Sequence, residues 1–135
     1  MNIKWYKEKN FVHIRLTGPV DREMILNAFD QAVSSDQHEP GMGRLWDFRH
    51  VDLSGLKSDT IRGMTKHTQR YQAGINDVKV AFLTQRDLEY GLTNMFKFAS
   101  EAATPIKLFR SFEEAEKWLL PDEGGNESPP VFTRS

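Results

Sequence analysis

Apolar residues along this chain recur in two rhythms, a period of two and a period of three to four, and the two alternate. In Phe11–Thr17, Val12, Ile14 and Leu16 alternate with His13 and Arg15, the pattern of a strand with one apolar and one polar face. Ile3–Lys7 precedes it across the polar turn Glu8-Lys9-Asn10, so the two arms predict a β-hairpin. Thr17-Gly18-Pro19 predicts where the second arm ends. From Asp21, a good N-cap, to about Asp36 the rhythm lengthens: Met24, Ile25, Ala28, Phe29, Ala32 and Val33 form one helical stripe. A loop, Gln37–Gly43, leads into Gly43–Leu56, which predicts the central strand. Trp46 and Phe48 fall on one face, Leu45, Asp47 and Arg49 on the other, and the stretch closes in a polar cluster and a Ser-Gly turn.

The second half repeats the alternation. Ser58 or Asp59 caps a helix to about Gly74, with Ile61, Met64, Thr68, Tyr71 and Ile75 as its stripe. Val78–Thr84 is apolar on both faces and predicts a strand covered on both sides. Thr84-Gln85-Arg86-Asp87 has capping-box spacing and opens a third helix to about Ala103. Its core face is Leu88, Leu92, Met95, Phe96, Ala99 and Ala103, widened by Tyr90 and Phe98. Pro105–Arg110 predicts the last strand. Ser111-Phe112-Glu113-Glu114 is a second capping box, for a helix that buries Phe112, Ala115, Trp118 and Leu119 and stops before Pro121. Residues 121–135, rich in Gly, Pro, Ser and acid, predict a disordered tail behind a domain spanning 1–120.

The order β-β-α-β-α-β-α-β-α requires parallel strands with right-handed crossovers after the hairpin. If successive strands are adjacent, every crossover helix lands on one face. The other face then carries His13, Arg15, Asp47, Arg49, Lys79 and Lys107, an unusual surface to bury. The hairpin's far arm, a displaced helix or a second subunit is expected to cover it.

Composition narrows the function classes. With 135 residues the chain is one domain that buries about two thirds of its unfolded surface. Lys and Arg total 18 against 19 Asp and Glu, which gives no general pull toward nucleic acid or an anionic membrane. The absence of cysteine excludes disulfides, thiolate catalysis and Cys-type zinc sites. The N-terminal residues lack a signal peptide's apolar core, and no apolar run reaches the roughly 18 residues of a membrane span. A soluble cytoplasmic protein without membrane insertion is the expectation. No cofactor is expected either, because Gly41-Met42-Gly43 precedes a strand whereas a phosphate-binding loop follows one.

Three stretches carry a family likeness: LWDFRHVDLSGL at 45–56, DLEYGLTNMFKFASEA at 87–102 and IKLFRSFEEAEKWL at 106–119. With the element order, they resemble the anti-sigma-factor-antagonist (STAS) proteins, specifically the small SpoIIAA-like chains, over residues 1 to about 120. The resemblance implies an α/β domain with a mostly parallel five-stranded sheet, an N-terminal antiparallel hairpin and about four helices. It also implies a phospho-switch at an Asp-Ser-Ser-Gly-Leu turn after the central strand. The matching residues here are Asp52, Leu53, Ser54, Gly55 and Leu56, so leucine stands at the acceptor position. Ser54 reads as turn chemistry, with a substitute acceptor as the rival reading.

The candidate residues fall in two groups. Asp47, Arg49, His50 and Asp52 bunch near the end of the central strand, where an Asp with a His offers acid–base chemistry. Strict alternation, however, puts His50 opposite Asp47 and Arg49. An Asp–Arg pair bridging neighbouring strands, with His50 capping a loop, explains the cluster more simply. The four histidines, at 13, 38, 50 and 67, show no metal-ligand spacing. Arg62, Lys66 and Arg70 read as a solvated helix face. Tyr90, Met95 and Phe98 suit core packing, or else an interface or apolar pocket. The functional expectation is a non-catalytic binding or regulatory module with a protein partner or a dimeric twin. A carrier or sensor of a small, lipid-like apolar ligand is the alternative. An enzyme using Asp47, His50 and Asp52 has the least support, and nucleic acid is not an expected partner.

Overall fold

The computed structural model describes residues 1–52, 78–85 and 106–120. Asn2–Tyr6 (β1) and Phe11–Pro19 (β2) pair as an antiparallel hairpin, Trp5 facing Val12 and Ile3 facing Ile14. Asn10 turns the chain with φ 64°, a left-handed conformation that asparagine tolerates better than most residues. Arg22–Ser34 (α1) follows, then the strands Gly43–Asp52 (β3), Val80–Leu83 (β4) and Ile106–Phe109 (β5), and the helix Phe112–Leu119 (α2). The sheet order is β1-β2-β3-β4-β5, with every pair after the hairpin parallel. Successive strands therefore are adjacent, which meets the condition set for the crossover argument. The second and third predicted helices and the tail at 121–135 lie outside the described residues.

Both described helices begin where their caps predict. The Asp21 carboxylate accepts from Met24 N–H at 2.9 Å, and the Ser111 hydroxyl accepts from Glu114 N–H at 3.4 Å. They pack on opposite faces. α1 buries Ile25, Ala28, Phe29, Ala32 and Val33 in the larger core, with Val12, Ile14, Leu16, Trp46, Phe48, Val80 and Phe82 from the strands. Trp5 ties the hairpin to this layer, its indole N–H donating to Ala32 C=O at 2.9 Å. α2 closes a smaller core of Phe11, Leu45, Ala81, Leu83, Ala115 and Leu119. The displaced helix anticipated for the mixed face is thus the last one, seated over β3, β4 and β5 and reaching Phe11 at the start of β2. Phe112 and Trp118 line this core half-buried. Gly43 permits the close seat, since a Cβ there would meet the Leu119 side chain at 3.1 Å and the Lys79 carbonyl at 3.2 Å.

Two expectations about β2 and β3 need correction. Thr17-Gly18-Pro19 does not end β2, which continues beside His50, Val51 and Asp52. Gly18, at φ +75°, supplies a conformation that an ordinary residue resists, and Pro19 stands last, where a missing donor matters least. The second correction is the register. Arg15 pairs with Asp47 but Thr17 pairs with His50, so β3 carries one extra residue, a bulge. Beyond it the faces exchange: Val51 joins the α1 core with Trp46 and Phe48, and His50 comes to the side of Asp47. The alternation that separated His50 from Asp47 fails for this reason.

Candidate functional site

The cluster forms where β2 and β3 leave the shelter of α2. Asp47 follows Leu45 on the mixed face and is completely buried. Its carboxylate is fully engaged. Arg49 donates from Nε to Oδ1 at 2.9 Å and from Nη2 to Oδ2 at 2.8 Å, a bidentate fork. The Arg49 backbone N–H adds a bond to Oδ1 at 3.3 Å. That bond links residues two apart and spans the bulge, as aspartate side chains do in tight turns. From the neighbouring strand, His13 Nε2 lies 3.0 Å from Oδ2 and donates to it when that nitrogen carries the proton.

Burial alone would raise the Asp47 pKa. The hydrogen bonds from His13 and Arg49, with the guanidinium charge, outweigh it and hold the carboxyl well below the usual carboxylate range. The same pairing raises Arg49. The His13 ring leans on Phe112 with centroids 5.2 Å apart, which connects the cluster to the first turn of α2.

The strand-bridging contact is therefore Asp47–His13, whereas the Asp47–Arg49 pair lies within β3. His13 was on the mixed-face roll but not among the candidates. Its place two residues before Arg15, on the strand beside Asp47, is the signal that would have found it. Arg49 is half-buried, and His50 and Asp52 are exposed at the carboxyl end of β3. Ser54, Tyr90, Met95 and Phe98 lie outside the described residues. His38 belongs elsewhere, with burial first and the Arg44 charge second lowering its pKa. Among the described residues, no three acidic or histidine side chains converge as metal ligands, and no helix is long and apolar enough to cross a membrane.

These observations define an α/β domain whose central strand carries an anchored acid at its middle. The fold is SpoIIAA-like: the chain superposes on the crystal structure of an uncharacterized protein from the DUF3478 family, with a SpoIIAA-like fold, from Shewanella loihica PV-4. The TM-score is 0.58 at 17% sequence identity, over 87% of this chain and 90% of that one. At that identity the likeness is one of fold. No protein-family model matches the sequence, and no curated protein matches it.

Proposed function

We propose that this chain is a non-catalytic, STAS-like binding module that works through a protein partner or a second copy of itself. The observation that carries the reading is the saturation of Asp47, whose two oxygens are taken up by a guanidinium fork, a peptide N–H and an imidazole. A carboxylate held ionised this way is a poor proton shuttle near neutral pH. Its effect is mechanical: it pins the bulge and fixes how Arg49 and His50 are presented at the carboxyl end of the strands, where open α/β sheets commonly bind. Leucine at position 53 argues for binding without a phosphorylation switch at that position. Tyr90, Met95 and Phe98 extend the proposed surface on the strength of sequence alone.

The test pairs sedimentation velocity at micromolar concentration with quantitative enrichment of partners from cell lysate. Arg49→Glu, His50→Glu, Tyr90→Asp and Phe98→Asp are each compared with the parent chain. Association is expected to weaken about tenfold in each variant, with the far-ultraviolet dichroism unchanged in all but Arg49→Glu, which also removes a partner of Asp47 and is judged beside its urea midpoint. If all four assemble and capture partners as the parent does, the surface is wrong.

A further inference from the structure

A second surface lies two strands away from Asp47, at the β5 edge of the sheet. A groove of about 470 Å³ runs there between β5 and α2, lined by Lys107, Leu108, Phe109, Glu114, Lys117 and Trp118. Its floor is aromatic, with the Phe109 and Trp118 rings 5.6 Å apart. Its rim is cationic. The Lys107 ammonium lies 5.5 Å from the Phe109 ring centroid and Lys117 stands exposed on the helix side, while Lys79, outside the lining, donates to the Trp118 carbonyl at 3.0 Å. Glu114 is the single acid in the lining.

The groove lies beside the last strand of the described sheet. β5 ends the sheet order, so among the described residues no strand pairs with its outer side. Phe109 C=O accepts from Thr84 N–H at 2.9 Å, which turns the Phe109 peptide groups toward β4. By alternation Lys107 faces the same way, and the peptide groups of Ile106 and Leu108 face outward. A lysine on an edge strand commonly does no more than discourage strand pairing. Here the lysines border an aromatic groove beside an edge that no described strand pairs, so main-chain groups, apolar surface and positive charge lie side by side.

We infer that this edge binds an acidic, extended peptide segment of a partner protein by strand addition. The segment's backbone bonds to Ile106 and Leu108, one apolar side chain lies on Phe109 and Trp118, and flanking carboxylates meet Lys107 and Lys117. Strand addition takes affinity from the main chain and selectivity from alternate side chains. The excess of ammonium groups over the one carboxylate in the groove selects the sign of charge. The inference rests on residues outside the Asp47 cluster and stands or falls separately from the function proposed above.

The probe is a fluorescein-labelled seven-residue peptide with a central phenylalanine and a glutamate two residues to either side, so that all three fall on one face of an extended strand, titrated into the full chain by anisotropy. Binding is expected to be saturable, to weaken with salt, and to fall about tenfold or more in the Lys107→Glu, Lys117→Glu double variant. It should also be lost when alternate amides of the peptide are N-methylated, a readout that leaves the protein untouched. Arg22→Glu, an exposed charge reversal on α1, should bind the peptide as the parent does, which separates this groove from a general effect of net charge. The inference is overturned by no saturable binding up to millimolar peptide, or by equal binding of a lysine-for-glutamate peptide. It is likewise overturned if the lysine reversals shift only the mass of the free chain, because the occupant would then be a second copy.

Discussion

Trp46 and Asp47 are adjacent on β3 and both are buried, yet different forces hold them. Trp46 enters a continuous apolar layer under α1, where its ring lies 5.9 Å from that of Phe48, and Phe48 in turn lies 5.6 Å from Phe82. Each such side chain contributes about 1.5–3 kcal/mol by leaving water, with little demand on direction. Asp47 enters the opposite face, beside the smaller core that α2 closes, and is held by directional bonds from His13 and Arg49. Removing an ion from water costs several kcal/mol, which its partners offset only through good geometry. Both faces are packed cores, with Arg44 buried against Phe29 on the α1 side, and the α2 side differs in holding a buried carboxylate by directional bonds from two side chains.

The contrast can be broken most severely from the apolar side. Phe48→Ala should cost about 3–5 kcal/mol, read as a lower denaturation midpoint in urea, since Phe48 is fully buried. A loss below about 1 kcal/mol would mean that the α1 layer does not carry the fold. Asp47→Asn should cost less, about 2 kcal/mol, because Arg49 is half-exposed and can return to water. Replacing Asp47, Arg49 and His13 together by Leu, Met and Leu should recover most of that stability, as apolar replacement of buried ion clusters often does. If the triple variant is less stable than Asp47→Asn, the cluster is a net stabiliser and the contrast between the faces is weaker than drawn.

Acid gives a sharper separation. The Asp47 pKa is depressed in the folded chain, so its contribution is fully present above the unfolded carboxylate value of about 4. It is lost progressively as pH falls below that value and through the lower folded one. The difference in unfolding free energy between the parent chain and Asp47→Asn should therefore be flat from pH 7 to about 5 and shrink below about 4. The same difference for Phe48→Ala should not respond to this group. Denaturation series at several pH values decide it, and an Asp47 difference that grows in acid would reverse the sign of the argument. The smallest effect expected is Ser111→Ala, about 1 kcal/mol from the lost α2 cap. Nuclear magnetic resonance shifts of the His13 ring, which touches Phe112, should report it before any change reaches α1.

Much of this architecture was legible in local patterns. The α1 stripe, both helix caps and the two-sided burial of Val80–Leu83 need only neighbours in sequence, and the parallel sheet follows from the element order. The candidate site was legible in part. Asp47 and Arg49 share a face by simple parity, but His50 required knowledge of an extra residue in β3, which depends on what β2 does beside it. His13 is 34 residues from Asp47, and only the strand register makes them neighbours. Pairings between strands are set by hydrogen bonds across the sheet, and no periodicity within either segment encodes them.

The extra residue in β3 also bears on how relatives are compared. A homologous strand of ordinary length, aligned without a gap through 45–52, would match this chain's core positions with surface ones from Arg49 onward. The residues that follow would then appear one place out of step. Counts of which residue stands at the turn in different chains depend on where that single gap is placed, and superposed strands are the safer guide to placing it.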